Sequence, residues 1–334
     1  MRRGLVLLAI FFALAVPPSG QAASWARPQI QTVVANGLMG PSVAEFRPGQ
    51  PVTRGDIGQA IAILTGEPQV VVDPNRPLTM AQLNRRLVTY LELRSAANRF
   101  RRKAEDAGLN PPYRFGNEVV ARLLQLRINH PADQDNLELR PNDVTTRAEA
   151  AYSLARILQL DQWDKDWVNS LASSFAPPAY TSWQTRVLKR AVHFTGFPYV
   201  WGGTWEHQQT LFGVPDRGGF DCSGFVWRVY KLVPYDGGGT LSSVIQGRTT
   251  YQMSGEVPKS ARISRSNLKP GDVLFFGSNG TNSRPSQVDH TGIYLGHGWM
   301  IHSSGQGVTV IPFASWYVDR FAWGRRPLRE AGLT

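Results

Sequence analysis

Cys222 is the only cysteine in 334 residues. It stands in Phe220-Asp221-Cys222-Ser223-Gly224-Phe225-Val226-Trp227. Phe225, Val229 and Leu232 follow at helical spacing, and Pro234 ends the run. Asp221 is a good N-cap, so Cys222 falls in the first turn of that helix. Unpaired N–H groups and the positive end of the helix dipole surround such a position. This setting is expected to lower a thiol pKa and favour the nucleophilic thiolate. The same N–H groups suit an oxyanion. Against this stands the usual fate of a lone cysteine, which is inert burial.

A nucleophilic cysteine needs a base, and His193, His207, His290, His297 and His302 are the candidates in this half. The stretches 290–295 and 299–302 read as two strands around Gly296-His297-Gly298. A hairpin centred on His297 sets residue 292 opposite 302. His290 and His302 then become diagonal neighbours on one face, roughly 7–8 Å apart at the backbone, within reach of two imidazoles. His297 falls in the turn. A nucleophile, a base and a group that orients the base is the logic of an activated nucleophile. Zinc is the competing chemistry for Cys222, His290 and His302, but C-x-x-C and H-E-x-x-H spacings are both absent. No metal or other cofactor is called for.

The formal charge is +11. Residues 24–180 hold 18 basic and 16 acidic side chains, a balance of +2; residues 181–334 hold 16 and 9, a balance of +7. The basicity lies with the cysteine and suits an anionic polymer such as a bacterial wall. Nucleic acid is disfavoured, since no basic–aromatic motif of a nucleic-acid module is present. Residues 1–23 have the form of a secretory signal peptide: Arg2-Arg3, an apolar run from Leu5 to Val16, then Ala22 and Ala23. The apolar run is short for a membrane span. No other stretch approaches that length, so an exported, wall-associated protein with no integral span is expected after cleavage.

The chain must supply elements to hold the site. Residues 24–160 are helical in pattern and repetitive. Phe46-Arg47-Pro48 is followed by Thr53-Arg54-Gly55-Asp56, and Leu139-Arg140-Pro141 by Thr146-Arg147-Ala148-Glu149. A degenerate middle unit has Thr79-Met80-Ala81-Gln82. Each threonine with its partner three residues on reads as a capped helix start. Residues 161–180 change character and end in Ser173-Ser174-Phe175-Ala176-Pro177-Pro178, which reads as a linker between parts that fold separately. From 181 onward a helix over about 183–194 precedes the cysteine helix. A loop rich in Gly, Ser and Thr covers 236–256. Five short strands follow, at 272–276, 290–295, 299–303, 308–311 and 320–325. Helices first and strands after give an α+β domain with an antiparallel sheet.

Two resemblances sharpen this reading. The Phe46-Arg47-Pro48/Thr53-Arg54 and Leu139-Arg140-Pro141/Thr146-Arg147 units resemble S-layer homology repeats, which anchor exported proteins to wall polymers. The resemblance implies Arg54 and Arg147 as contacts to an anionic wall polymer. Pro198-Tyr199-Val200-Trp201-Gly202-Gly203, the Asp221-Cys222-Ser223-Gly224 motif, Leu268-Lys269-Pro270-Gly271-Asp272, Asp289-His290-Thr291-Gly292 and Met300-Ile301-His302 together resemble the NlpC family of cell-wall cysteine peptidases. That resemblance implies a papain-like fold in 181–334 and cleavage of peptidoglycan stem peptides, commonly between D-γ-glutamate and the diamino acid. It implies Cys222 as nucleophile, His290 as base and His302 as orienting residue. Tyr199 would help hold the oxyanion, and Asp221 and Ser223 would line the substrate site. The segment Thr204–Gly219 is long for the family and is expected to reshape the cleft wall. Trp201, Trp205 and Trp227 read as core or as sugar-stacking rings. Two other functions stay open: an amidase cutting between muramic acid and L-alanine, and a wall-binding protein with an idle catalytic domain.

Overall fold

The computed structural model describes residues 24–333; the leader read at 1–23 lies outside them. After α1 (Arg27–Ala35), three threonines open three helices in one manner: α2 (Arg54–Thr65), α3 (Met80–Tyr90) and, beyond α4 (Arg94–Asp106) and α5 (Phe115–Leu123), α6 (Arg147–Ile157). The hydroxyls of Thr53, Thr79 and Thr146 accept from the N–H groups of Asp56, Gln82 and Glu149. Such a cap stabilises a helix by about 1 kcal/mol. Just before the caps, the backbone closes a ring. Val52 N–H donates to Thr145 O (3.0 Å), Leu78 N–H to Val52 O (3.0 Å) and Thr145 N–H to Leu78 O (2.9 Å). The middle unit takes a full place in this ring, although Met80 stands where the others carry Arg54 and Arg147.

The stretch read as a linker is folded. Asp161 caps α7 (Gln162–Ser174) in a reciprocal box with Asp164. Val168 and Ala172 are buried on α7, and Phe175 after it is fully buried. The pattern Asp161-x-x-Asp164 before a helical apolar stripe carried this information.

The second half begins with α8 (Ser182–His193). The long insertion folds into two small antiparallel ribbons: β1 (Thr204–Trp205) pairs with β4 (Gly219–Phe220), and β2 (Gln209–Leu211) with β3 (Val214–Asp216). The cysteine helix α9 (Cys222–Tyr230) follows directly. Two short helices, α10 (Leu241–Val244) and α11 (Thr250–Gly255), interrupt the stretch expected as loop. Thr249 and Gln252 form the capping box that starts α11. Then come β5 (Val273–Gly277), β6 (Val288–Gly296), β7 (Trp299–Ser304), β8 (Gly307–Pro312), α12 (Trp316–Arg320) and β9 (Phe321–Arg325). The sheet is antiparallel in the order β8-β7-β6-β5-β9, so the half is α+β as its residue pattern implies. Among the described residues, no helix is long and apolar enough to cross a membrane.

The halves do not have separate cores. One buried apolar cluster runs from Ala26 to Leu328. At its centre Phe100 of α4 and Phe175 meet Trp299 of β7, with ring centroids 4.9–5.9 Å apart. Arg122 of α5 is fully buried and donates to the carbonyls of Gly196 and Gln306 in the second half. Glu118, equally buried, faces it at 3.6 Å and accepts from Asn84 at 3.1 Å. Where two parts with separate cores are expected, the guanidinium and the aromatic trio tie them into one core. Replacing Arg122 by Met should cost roughly 3–5 kcal/mol in denaturant unfolding, because Glu118 and two carbonyls lose their partner in a buried site. A loss below about 1 kcal/mol, the scale of an ordinary substitution, would show that this contact does not hold the halves together.

Candidate active site

Cys222 owes its position to glycines. A Cβ on Gly224 would sit 1.9 Å from Gly203 O, and one on Gly203 would sit 2.6 Å from Gly219 O. Only backbone without side chains lets the start of α9 lie directly on the 202–203 turn. Asp221 caps the helix: Oδ1 accepts from Gly224 N–H at 2.5 Å and Oδ2 from Gly202 N–H at 3.1 Å. Asp221 N–H donates to Gly203 O at 3.1 Å. Opposite, the Thr291 N–H of β6 and the Ser223 N–H reach the Cys222 sulfur.

Thr291 is the chain neighbour of His290, so the sulfur lies against the β6 backbone next to that histidine. In the β6–β7 hairpin Ile293 pairs with Ile301 and Tyr294 with Met300, the register anticipated for His290 and His302. His290 Nε2 and His302 Nδ1 are hydrogen-bonded at 2.8 Å. His302 is 1% exposed and edges Tyr317 at 5.3 Å; His290 lies against Phe276 at 5.6 Å. If His290 Nε2–H donates to His302, Nδ1 of His290 is left as a lone pair for the thiol proton. His297 stands in the turn, exposed and bonded to Ala176 O. Among the described residues no cluster of three or more His, Cys, Asp or Glu suits a metal.

The electrostatics correct one expectation. The helix start does not lower the Cys222 pKa. Burial, reinforced by the Asp221 carboxylate, pushes the thiol up to about 12, and the N–H groups of Thr291 and Ser223 and the Arg248 charge only partly offset this. Burial likewise pulls His290 down to about 4, and His302 well below its usual value with help from His290. Burial thus favours the neutral thiol and the neutral imidazoles.

Tyr199, half-buried in the turn before the glycines, is raised by burial and by neighbouring Cys222 and Asp221, so its hydroxyl stays a donor. Asp221 and Ser223 are less free than expected. Arg248 grips both: its guanidinium donates to Asp221 Oδ1 (3.1 Å) and Oδ2 (2.8 Å), to Ser223 Oγ (2.7 Å) and to Gly202 O (2.7 Å). Asp135 was also missed. It comes from a 3-10 turn at Ala132–Leu137 in the first half, accepts from Trp201 N–H at 3.0 Å and is raised to about 6 by burial. Neither residue has a local sequence signal: each reaches the site across more than twenty residues of chain.

The two arginines of the repeats differ. Arg147 is held by Asp56 Oδ1 at 2.7 Å and Phe46 O at 2.9 Å, over the Phe46 ring. Arg54, which pairs with Asp73 at 3.6 Å and donates to Val72 O at 3.3 Å, also lines an open groove of about 670 Å³ with Arg85, Arg86, Arg94, Tyr90 and Glu92. The Arg86 guanidinium is depressed by burial and by the like charges of Arg54 and Arg85.

Comparison with known proteins follows this geometry. The NlpC/P60 family model matches residues 196–326, and the S-layer homology domain model matches residues 20–57. Murein DD-endopeptidase MepH of Escherichia coli is 34% identical over 141 residues, covering 42% of this chain and 44% of that protein. The probable endopeptidase YafL of Escherichia coli is 30% identical over 227 residues, covering 63% of this chain and 80% of that protein. Gamma-D-glutamyl-L-lysine dipeptidyl-peptidase of Bacillus cereus is 30% identical over 139 residues, covering 40% of this chain and 34% of that protein. The chain thus spans less than half the length of MepH and most of YafL. With the cysteine, the paired histidines and this coverage together, the chain belongs to the NlpC/P60 family.

Proposed function

We propose that the protein is an exported, wall-associated cysteine endopeptidase of peptidoglycan. The observation that carries this reading is the 2.8 Å His290–His302 pair beside a thiol held at a helix start. Cys222 Sγ attacks the amide carbonyl of a stem peptide, and its proton passes to His290 as the C–S bond forms. Coupling the two movements avoids a standing thiolate–imidazolium pair before the attack in a desolvated cleft, where burial favours both groups neutral. The oxyanion is held by the free Cys222 N–H of the first turn and the Tyr199 hydroxyl. His290 then protonates the leaving nitrogen as the C–N bond breaks, leaving a thioester. Water gives a proton to His290 and its oxygen to the acyl carbon, and the returning proton restores the thiol. His302 holds the His290 ring in the tautomer that can accept. Asp221, Ser223 and Arg248 set the helix start and line the cleft.

The bond assigned is that between D-γ-glutamate and the diamino acid, in keeping with the activity for which the Bacillus cereus relative is named; MepH, named a DD-endopeptidase, marks the other possibility within the family. The repeat half anchors the enzyme. Its anion site is the groove of Arg54, Arg85, Arg86 and Arg94, where clustered like charge suits an anionic wall polymer. Arg147 serves mainly to staple the first and last repeats through Asp56.

Cys222→Ala should abolish stem-peptide hydrolysis while leaving the unfolding midpoint unchanged, and mass spectrometry of the wild-type products should show new ends at the D-γ-glutamyl bond. Free L-alanine ends on peptides detached from muramic acid would instead identify an amidase, and residual turnover in the alanine variant would remove the thiol mechanism.

The base must be neutral to act, and His290 has a pKa near 4. kcat/KM should therefore hold from pH 7 to about 5 and fall only as pH drops through about 4. The depressed pKa also removes stability as pH falls from the ordinary histidine value of about 6.5 toward 4, so rates are normalised to the folded fraction. An acid limb centred near 6.5 would place the base elsewhere.

Arg54→Ala combined with Arg85→Ala should weaken co-sedimentation of the whole protein with wall fragments at moderate salt, and Arg147→Ala alone should act chiefly by lowering stability. Unaltered sedimentation of the double variant would remove the groove from the anchoring role.

A further inference from the structure

Behind His302 lies a second groove, about 650 Å³ in volume, between α7 of the repeat half and the loop from β8 into α12. Its walls are aromatic. Trp167 lines one side, with Trp163 parallel to it at 6.3 Å and largely exposed. Trp316, 53% exposed, and Tyr317 line the other side. The groove has no Asp, Glu, Lys or Arg among its lining residues, in a protein of formal charge +11. Besides His302 and Tyr317, its polar members are Gln125, Ser304, Gln306 and Ser315, whose side chains make no hydrogen bond to protein among the described residues. Ser315, which carries Trp316 into place, adopts φ 47° and ψ −124°. Such a conformation is costly for a residue with a Cβ and persists where surroundings enforce it.

Flat apolar faces with a few solvent-facing neutral donors and acceptors between them favour an uncharged ligand with apolar faces and polar edges. A charged stem peptide or an anionic wall polymer finds no counter-charge here. The amino sugars of the wall glycan, neutral and N-acetylated, fit both requirements. The floor of the groove is His302 itself, so its occupant and the peptide being cut share a wall. We propose that this groove is a subsite for the uncharged N-acetylated glycan to which the stem peptide is attached. The inference rests on the peptidase reading and adds to it a sugar-binding surface made partly by the repeat half.

The direct probe is the β-1,4-linked tetramer of N-acetylglucosamine, titrated against the whole protein by tryptophan fluorescence. Saturable binding is expected, weakened about tenfold in Trp316→Ala and again in Trp167→Leu, the scale of losing one aromatic contact. In kinetics, wild-type KM should be lower for a disaccharide-linked stem peptide than for the same peptide without sugar, and the KM ratio should collapse toward one in both variants. Absence of saturable binding, or binding that survives both substitutions, would overturn the proposal. So would displacement of the tetramer by sugar-free stem peptide, which would make the groove a peptide site. If neither peptide is cut, the peptidase reading fails, and the tetramer titration still decides the groove.

Discussion

Everything catalytic depends on one close approach of backbone to backbone, where Gly224 at the start of α9 lies on Gly203. A side chain at either position would push the helix off the turn. Cys222 would then leave the Thr291 N–H, and the Asp221 cap would lose Gly202. The contact also explains the electrostatics. Packing this tight expels water, and loss of water raises the thiol and lowers the imidazoles more than the helix dipole and two N–H groups can reverse. A helix start favours a thiolate only while solvent helps, which is why the proposed mechanism moves the proton together with the attack.

The repeat half is part of the same construction. Arg122 fastens α5 to the 196 and 306 carbonyls, and Asp135 holds Trp201 in the turn that carries Tyr199. α7 supplies one wall of the aromatic groove. The proposed anchoring groove and the thiol are thus built on one shared core.

Much of this was legible in residue spacing. The histidines twelve apart across a Gly-flanked turn foretold both the hairpin register and the pairing of His290 with His302, because side chains on a strand alternate strictly. The five strands followed from short apolar runs between Gly and Pro, and the repeat helices from their threonine caps. What escaped is tertiary. Arg248 sits in a Gly- and Thr-rich stretch with no local cue that it would clamp Asp221. Asp135 belongs to an irregular turn far away in sequence. α7 was hidden because its acidic, tryptophan-bearing start resembles a boundary, though its cap pattern was present. The direction of the thiol shift was missed because sequence reports a helix terminus but not how completely it is buried.

The central claim is that Cys222 carries the acyl group during turnover. Whole protein mixed with excess stem peptide, quenched in acid at successive short times and digested for mass spectrometry, measures this directly. The expected result is a transient mass increment on the Cys222 peptide equal to the acyl half of the substrate, appearing before free product and decaying with it. Hydrolysis that proceeds while Cys222 stays unmodified at every time point would contradict the account.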